Sequence, residues 1–85
     1  MAQVIIYTKM YCGFCDAARA LLERKNIAFE EIPVDGDREK QAAMTQRANG
    51  RRTVPQIFID NAHIGGCDDL YALERAGKLD PLLAS

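Results

Sequence analysis

The sequence predicts an α/β fold, a four-stranded mixed sheet flanked by helices, with elements in the order β-α-β-α-β-β-α. Three observations predict it. Short β-rich apolar runs at residues 4–7, 28–34 and 56–59 alternate with segments of helical composition. A helix-length segment separates the first two runs, which makes them parallel neighbours joined by a right-handed crossover. Only Asp60-Asn61 stands between the third run and residues 62–64, so those two pair as an antiparallel hairpin.

The elements follow in order. Val4-Ile5-Ile6-Tyr7 is a continuous apolar run, as expected of a strand buried on both faces. Residues 8–11 form a loop, and an alanine- and leucine-rich stretch at 15–25 follows. Within it Cys15, Ala18 and Leu22, with Leu21 beside them, make one apolar helical stripe, and Asn26 suits its C-terminal end. Phe29, Ile32 and Val34 mark the second strand, which Pro33 ends or confines to an edge. After the turn Asp35-Gly36-Asp37, residues 38–48 form a polar helix whose apolar content is Ala42, Ala43 and Met44, stopped at Asn49-Gly50. Gly65-Gly66 breaks the fourth strand. A third helix spans 68–76, with Leu70, Leu73 and Ala76 inward, and Gly77 closes it; Pro81-Leu82-Leu83 is a short terminal segment. This arrangement is thioredoxin-like, and the 85 residues are expected to make a single domain, 1–85.

Composition narrows the function. Eleven basic against twelve acidic residues give a net charge of -1, which leaves no electrostatic footprint for nucleic acid or an anionic membrane. The N-terminal residues have neither the basic region nor the apolar core of a signal peptide. No apolar run approaches the roughly 18–20 residues of a membrane span. Three cysteines are an odd number for a stapled secreted domain, so a reducing compartment such as the cytoplasm is expected.

Two of these cysteines are spaced Cys12-Gly13-Phe14-Cys15, and in a reducing compartment that spacing means redox chemistry or metal. Cys12 falls where the loop meets the first helix, whose unpaired N–H groups and dipole favour a thiolate. Lys9 can add positive charge. Cys15 lies one turn in, on the apolar stripe, and is the poorer first nucleophile; Cys12 attacks and Cys15 resolves. The competing reading is a Cys3His zinc site from Cys12, Cys15, His63 and Cys67. A pair that opens a helix after a buried strand, and a histidine that faces one side of a strand, both weigh against it. The bland readings are a half-exposed strand residue for His63 and a small residue after a diglycine for Cys67.

Residues 7–15, the run Thr53-Val54-Pro55, and Gly65-Gly66-Cys67-Asp68-Asp69 resemble, in order and separation, the three signature segments of glutaredoxins. The resemblance extends over essentially the whole chain. It implies a glutathione-dependent thiol-disulfide oxidoreductase that reduces protein–glutathione mixed disulfides and protein disulfides. It also implies a cis Val54–Pro55 bond that turns the Val54 backbone outward, as a strand edge with which a cysteinyl peptide can pair. Gly66 allows close approach of a ligand, and the N–H groups of Cys67 and Asp68 can receive the γ-glutamyl carboxylate of glutathione while the Asp68 side chain accepts from its amine. The plainer reading, that Asp68 and Asp69 cap the helix, is compatible with binding. Lys9 would reach the glycyl carboxylate, with Lys40 or Gln41 assisting; Phe14, Thr53 and Pro55 complete the expected glutathione contacts.

The chain departs from the family pattern between the cysteines. Common dithiol members carry Pro-Tyr there, whereas Gly13-Phe14 is similar to the monothiol, cluster-carrying branch, which ends its motif in serine. Tryptophan is absent and no basic insertion precedes Cys12, unlike that branch. The expectation is a dithiol enzyme that is monomeric, with glutathione reductase as an indirect partner. The alternative is a dimer bridging a [2Fe-2S] cluster through Cys12 and glutathione thiols.

Overall fold

In the computed structural model, which describes residues 2–84, the chain forms β1 (Val4–Thr8), α1 (Gly13–Arg24), β2 (Glu30–Pro33), α2 (Arg38–Arg47), β3 (Gln56–Ile59), β4 (Ala62–Gly65), α3 (Cys67–Arg75) and α4 (Leu79–Ala84). The sheet order is β2-β1-β3-β4; β1 and β2 run parallel, and the other neighbours antiparallel. The expected fold class is therefore the observed one.

Strand β1 is buried along its whole length because helices cover both sheet faces. Its side chains alternate between two cores, as the two-residue strand period requires. Val4 and Ile6, with Ile57 and Ile59 of β3, pack against Ala18, Leu21 and Leu22 of α1 and Leu70 of α3. Ile5, Tyr7 and Phe58 pack on the opposite face against Met44 and Ala48. The first layer is thick and the second thin. A fully buried leucine such as Leu22 should cost about 2–5 kcal/mol if cut to alanine.

Each long helix stops where a residue takes the left-handed conformation: Asn26 after α1, Asn49 after α2 and Gly77 after α3. In each case the following N–H reaches back to a carbonyl of the last turn, as with Ile27 to Leu22 at 3.0 Å. Asp60 and Asn61 both have positive φ, the geometry of a two-residue hairpin turn.

Several boundaries and packing assignments differ from the sequence reading. The terminal segment is a helix, α4, because Leu79 and Leu83, four apart, reach one face and bury against the first core. Ala76 is exposed, and so are Ala42 and Ala43; α2 packs through Met44 and Ala48 instead. Helix α1 begins at Gly13, two residues before the apolar stripe, with Cys12 as its N-cap. Strand β2 covers only the middle of the run 28–34. Among the described residues no helix is long and apolar enough to cross a membrane.

Candidate active site

The loop after β1 is bent to bring Cys12 back to the helix start. The Met10 N–H donates to both carboxylate oxygens of Asp35 at 3.0 and 3.2 Å, and Tyr11 takes a φ of 55° with its ring fully exposed. Cys12 then caps α1 in extended conformation. Its sulfur accepts the Cys15 N–H at 3.1 Å and lies 3.9 Å from the Val54 carbonyl oxygen. A sulfur in the N-cap position takes one of the donors that the first helical turn leaves unpaired, and it faces the positive end of the helix dipole.

The second cysteine of the pair is in a different environment. Cys15 has no exposed surface. Burial, and then the hydrogen bond with the Cys12 sulfur, push its thiol from 9.0 up to about 12, against the smaller opposing effects of the Lys9 backbone and Arg19. Cys15 is therefore a thiol at neutral pH, and Cys12, half-exposed, is the cysteine sulfur open to solvent.

Beside Cys12 lies a pocket of about 270 Å³. One wall is Phe14, 65% exposed at the first turn of α1. A second is Thr53-Val54-Pro55, with the Val54–Pro55 bond cis as the resemblance implied. The third is the start of α3, where Gly66, Cys67 and Asp68 line the pocket. The structure thus brings seven of the eight expected contact residues into one cavity: Phe14, Thr53, Val54, Pro55, Gly66, Cys67 and Asp68.

Helix α3 starts at Cys67 with Gly66 as N-cap, so the N–H groups of Cys67 and Asp68 are donors of the first turn with no partner in their own helix. The capping carboxylate is Asp69 rather than Asp68: its Oδ2 accepts the Gly66 N–H at 2.9 Å and pairs with Arg51 at 3.0 Å. The Gly66 N–H first, and Arg51 second, hold the Asp69 carboxyl below the usual carboxylate range. Asp68 is left exposed at the pocket rim. Gly65 must be glycine here, since its φ is +118° and a Cβ would stand 2.2 Å from the Asp69 carboxylate. Cys67 is buried, and burial, followed by the neighbouring Asp68 and Cys12, pushes its thiol up.

Lys9 stands apart from these residues. It lines a larger groove, of about 720 Å³, together with Gln41 and Arg52. Gln41 donates to the Arg52 carbonyl at 3.3 Å, whereas Lys40 is exposed and lines neither cavity. The larger groove borders no cysteine, whereas the smaller one is lined by Val54, whose carbonyl oxygen lies 3.9 Å from the Cys12 sulfur. His63 lies away from the thiols: its ring is tilted over Phe58, bonds Gln56 at 2.7 Å and contacts Asn49 at 3.3 Å. Among the described residues no three His, Cys, Asp or Glu side chains are grouped to hold a metal ion.

Sequence reasoning missed Arg51, and its signal was the basic pair directly before Thr53. Of the two acids expected to cap α3, Asp69 makes the bond, as the acid three residues after the N-cap.

A family model for glutaredoxin matches residues 4–64. The chain is 61% identical over 84 residues to a probable glutaredoxin of Synechocystis sp., covering 99% of this chain and 96% of that one. It is 59% identical over 83 residues to glutaredoxin 3 of Escherichia coli (strain K12), covering 98% and 99%. Among solved structures, a buckwheat glutaredoxin–glutathione complex superposes with a TM-score of 0.88 at 36% identity, covering 98% of this chain and 77% of that one.

Proposed function

The chain belongs to the glutaredoxin family, a thiol-disulfide oxidoreductase, and we propose that it is glutathione-dependent and acts on protein–glutathione mixed disulfides and protein disulfides. The observation that carries this reading is the meeting, beside one accessible sulfur, of the Val54 backbone and the open start of α3. The buckwheat relative, solved with glutathione, supports it.

Glutathione's γ-glutamyl carboxylate takes the N–H groups of Cys67 and Asp68, and its ammonium faces the Asp68 side chain. Its cysteinyl backbone pairs with Val54 as a short added strand. Its glycyl carboxylate points toward Lys9, Gln41 and Arg52 across the edge of the larger groove. The Cys12 thiolate attacks the glutathionyl sulfur, a Cys12–glutathione disulfide forms, and the substrate leaves as a thiolate that takes up a proton. A second glutathione thiolate attacks the same glutathionyl sulfur, which gives glutathione disulfide and restores Cys12. Glutathione reductase then recycles the product in a reducing compartment such as the cytoplasm. For a protein disulfide, Cys12 forms the mixed disulfide and Cys15, losing its proton, displaces the substrate to leave a Cys12–Cys15 bond.

A glutathione-linked assay on a glutathionylated peptide tests this. Turnover that requires Cys12 and survives Cys15→Ser supports it; no turnover with glutathione, but turnover with another dithiol reductant, contradicts it.

A second reading, a dimer that bridges a [2Fe-2S] cluster, rests on Gly13. A Cβ there would meet nothing within 4 Å beyond its chain neighbours, so that side of the helix start is open, and Cys12 is half-exposed as a bridging ligand must be. Cys12 of each chain and two glutathione thiols would hold the cluster, whose chemistry is electron or cluster transfer. Protein that stays colourless after anaerobic reconstitution with iron, sulfide and glutathione refutes it.

A further inference from the structure

We propose that Gln56, locked by His63, is a positioning residue that aims the Val54 N–H at the ligand. This rests on the reading above, in which a cysteinyl backbone pairs with Val54. Gln56 opens β3 directly after Pro55 and is fully buried. Its Nε2 donates to the Thr53 carbonyl oxygen at 3.0 Å and to Thr53 Oγ1 at 3.3 Å. Its Oε1 faces His63 Nε2 at 2.7 Å.

The orientation of this amide is decided by its partners. A carbonyl oxygen only accepts, so the Gln56 NH2 must face Thr53 and its Oε1 must face His63. His63 Nε2 therefore carries the ring proton, and Nδ1 accepts from Asn49 Nδ2 at 3.3 Å. The four residues form a chain of hydrogen bonds that all run in one direction, from the end of α2 to the loop beside the thiols. Burial, and then Arg51, hold the His63 ring below its ordinary 6.5, with Asp69 opposing, so the neutral tautomer prevails at neutral pH. Phe58 holds the ring on one face at 5.2 Å, and Arg47 lies over Phe58 at 4.3 Å.

The consequence falls on the Thr53–Val54 peptide. In a trans peptide the carbonyl and the following N–H point in opposite directions. Anchoring the Thr53 carbonyl inward on Gln56 turns the Val54 N–H outward, where Val54 lines the pocket. A carbonyl that accepts a hydrogen bond also makes its own N–H the stronger donor, since bonded chains polarise one another.

The test uses isotope-labelled wild type, Gln56→Met and Gln56→Glu. Methionine keeps the volume and loses all three bonds, whereas glutamate keeps the His63 bond and presents an acceptor to Thr53. In the ligand-free Gln56→Met protein the Val54 amide nitrogen should shift upfield, while amides of β1 stay in place. With a glutathionylated peptide, KM should rise about tenfold in Gln56→Met, and at least as much in Gln56→Glu, with kcat held within about twofold. An unmoved Val54 resonance, an unchanged KM in both variants, or a parallel fall of kcat and thermal stability would overturn the assignment. The Val54 resonance is read without glutathione, so a wild type that fails to use glutathione refutes the function proposed above and leaves this arm decisive.

Discussion

Two helix starts face the same pocket, and they differ in what they do with their unpaired N–H groups. At α1 the cap is a sulfur of the protein itself, and the Cys15 N–H is committed to it at 3.1 Å. At α3 the cap is Gly66, which offers no side chain; Asp69 reaches back to the Gly66 N–H and leaves the donors of Cys67 and Asp68, two residues that line the pocket, without a partner in their helix. The same physics of helix termini thus caps one end with the protein's own sulfur and leaves open donors at the other, which the proposed function assigns to a carboxylate. Substitutions at α1 should therefore change the chemistry, and substitutions at α3 should change binding.

The largest expected effect breaks the α1 side alone. Cys12→Ser should lose at least about a thousandfold in glutathione-linked turnover, because a hydroxyl does not ionise at neutral pH. Cys15→Ser should stay within about threefold on a glutathionylated peptide and fail only on protein disulfides. At α3 the effect should be milder and of another kind. Asp68→Ala should raise KM for the glutathionylated peptide about tenfold with kcat nearly unchanged, measured by steady-state kinetics.

Much of this contrast was legible in the sequence. Cys12 at a strand-to-helix junction, Cys15 on an apolar stripe, and a diglycine before an acidic helix start each carry a local physical signature. Which of Asp68 and Asp69 makes the cap was not legible, because it depends on Gly66 being the N-cap, and helix starts shift by a residue or two with tertiary packing. Arg51 was missed because it acts across 18 residues of sequence. Gln56 was missed because strand periodicity treats it as filler in an apolar run. The α4 helix was lost for the opposite reason: Pro81 reads as a breaker, yet it lies in the first turn, where its missing N–H costs nothing.

Smaller effects sharpen the comparison. Asp69→Ala should lower stability by about 1 kcal/mol in chemical denaturation, chiefly through the lost Gly66 cap, since the Arg51 pair is half-exposed and screened. Because the folded Asp69 carboxyl lies below its ordinary 3.8, this contribution is present above that pH and lost as pH falls through the folded value. Cys15 acts at the other end of the scale. The unfolded thiol ionises near 9.0 and the folded one near 12, so stability should fall as pH rises through that window, and Cys15→Ser should flatten the fall.

The most direct test is mass spectrometry of the Cys15→Ser protein after brief exposure to glutathione disulfide at neutral pH, followed by peptide mapping. The proposed role of Cys12, as the accessible nucleophile beside a pocket that takes glutathione, predicts one glutathione adduct, on Cys12, with Cys67 unmodified. Adduct on Cys67 in place of Cys12, or no adduct at all, would contradict it.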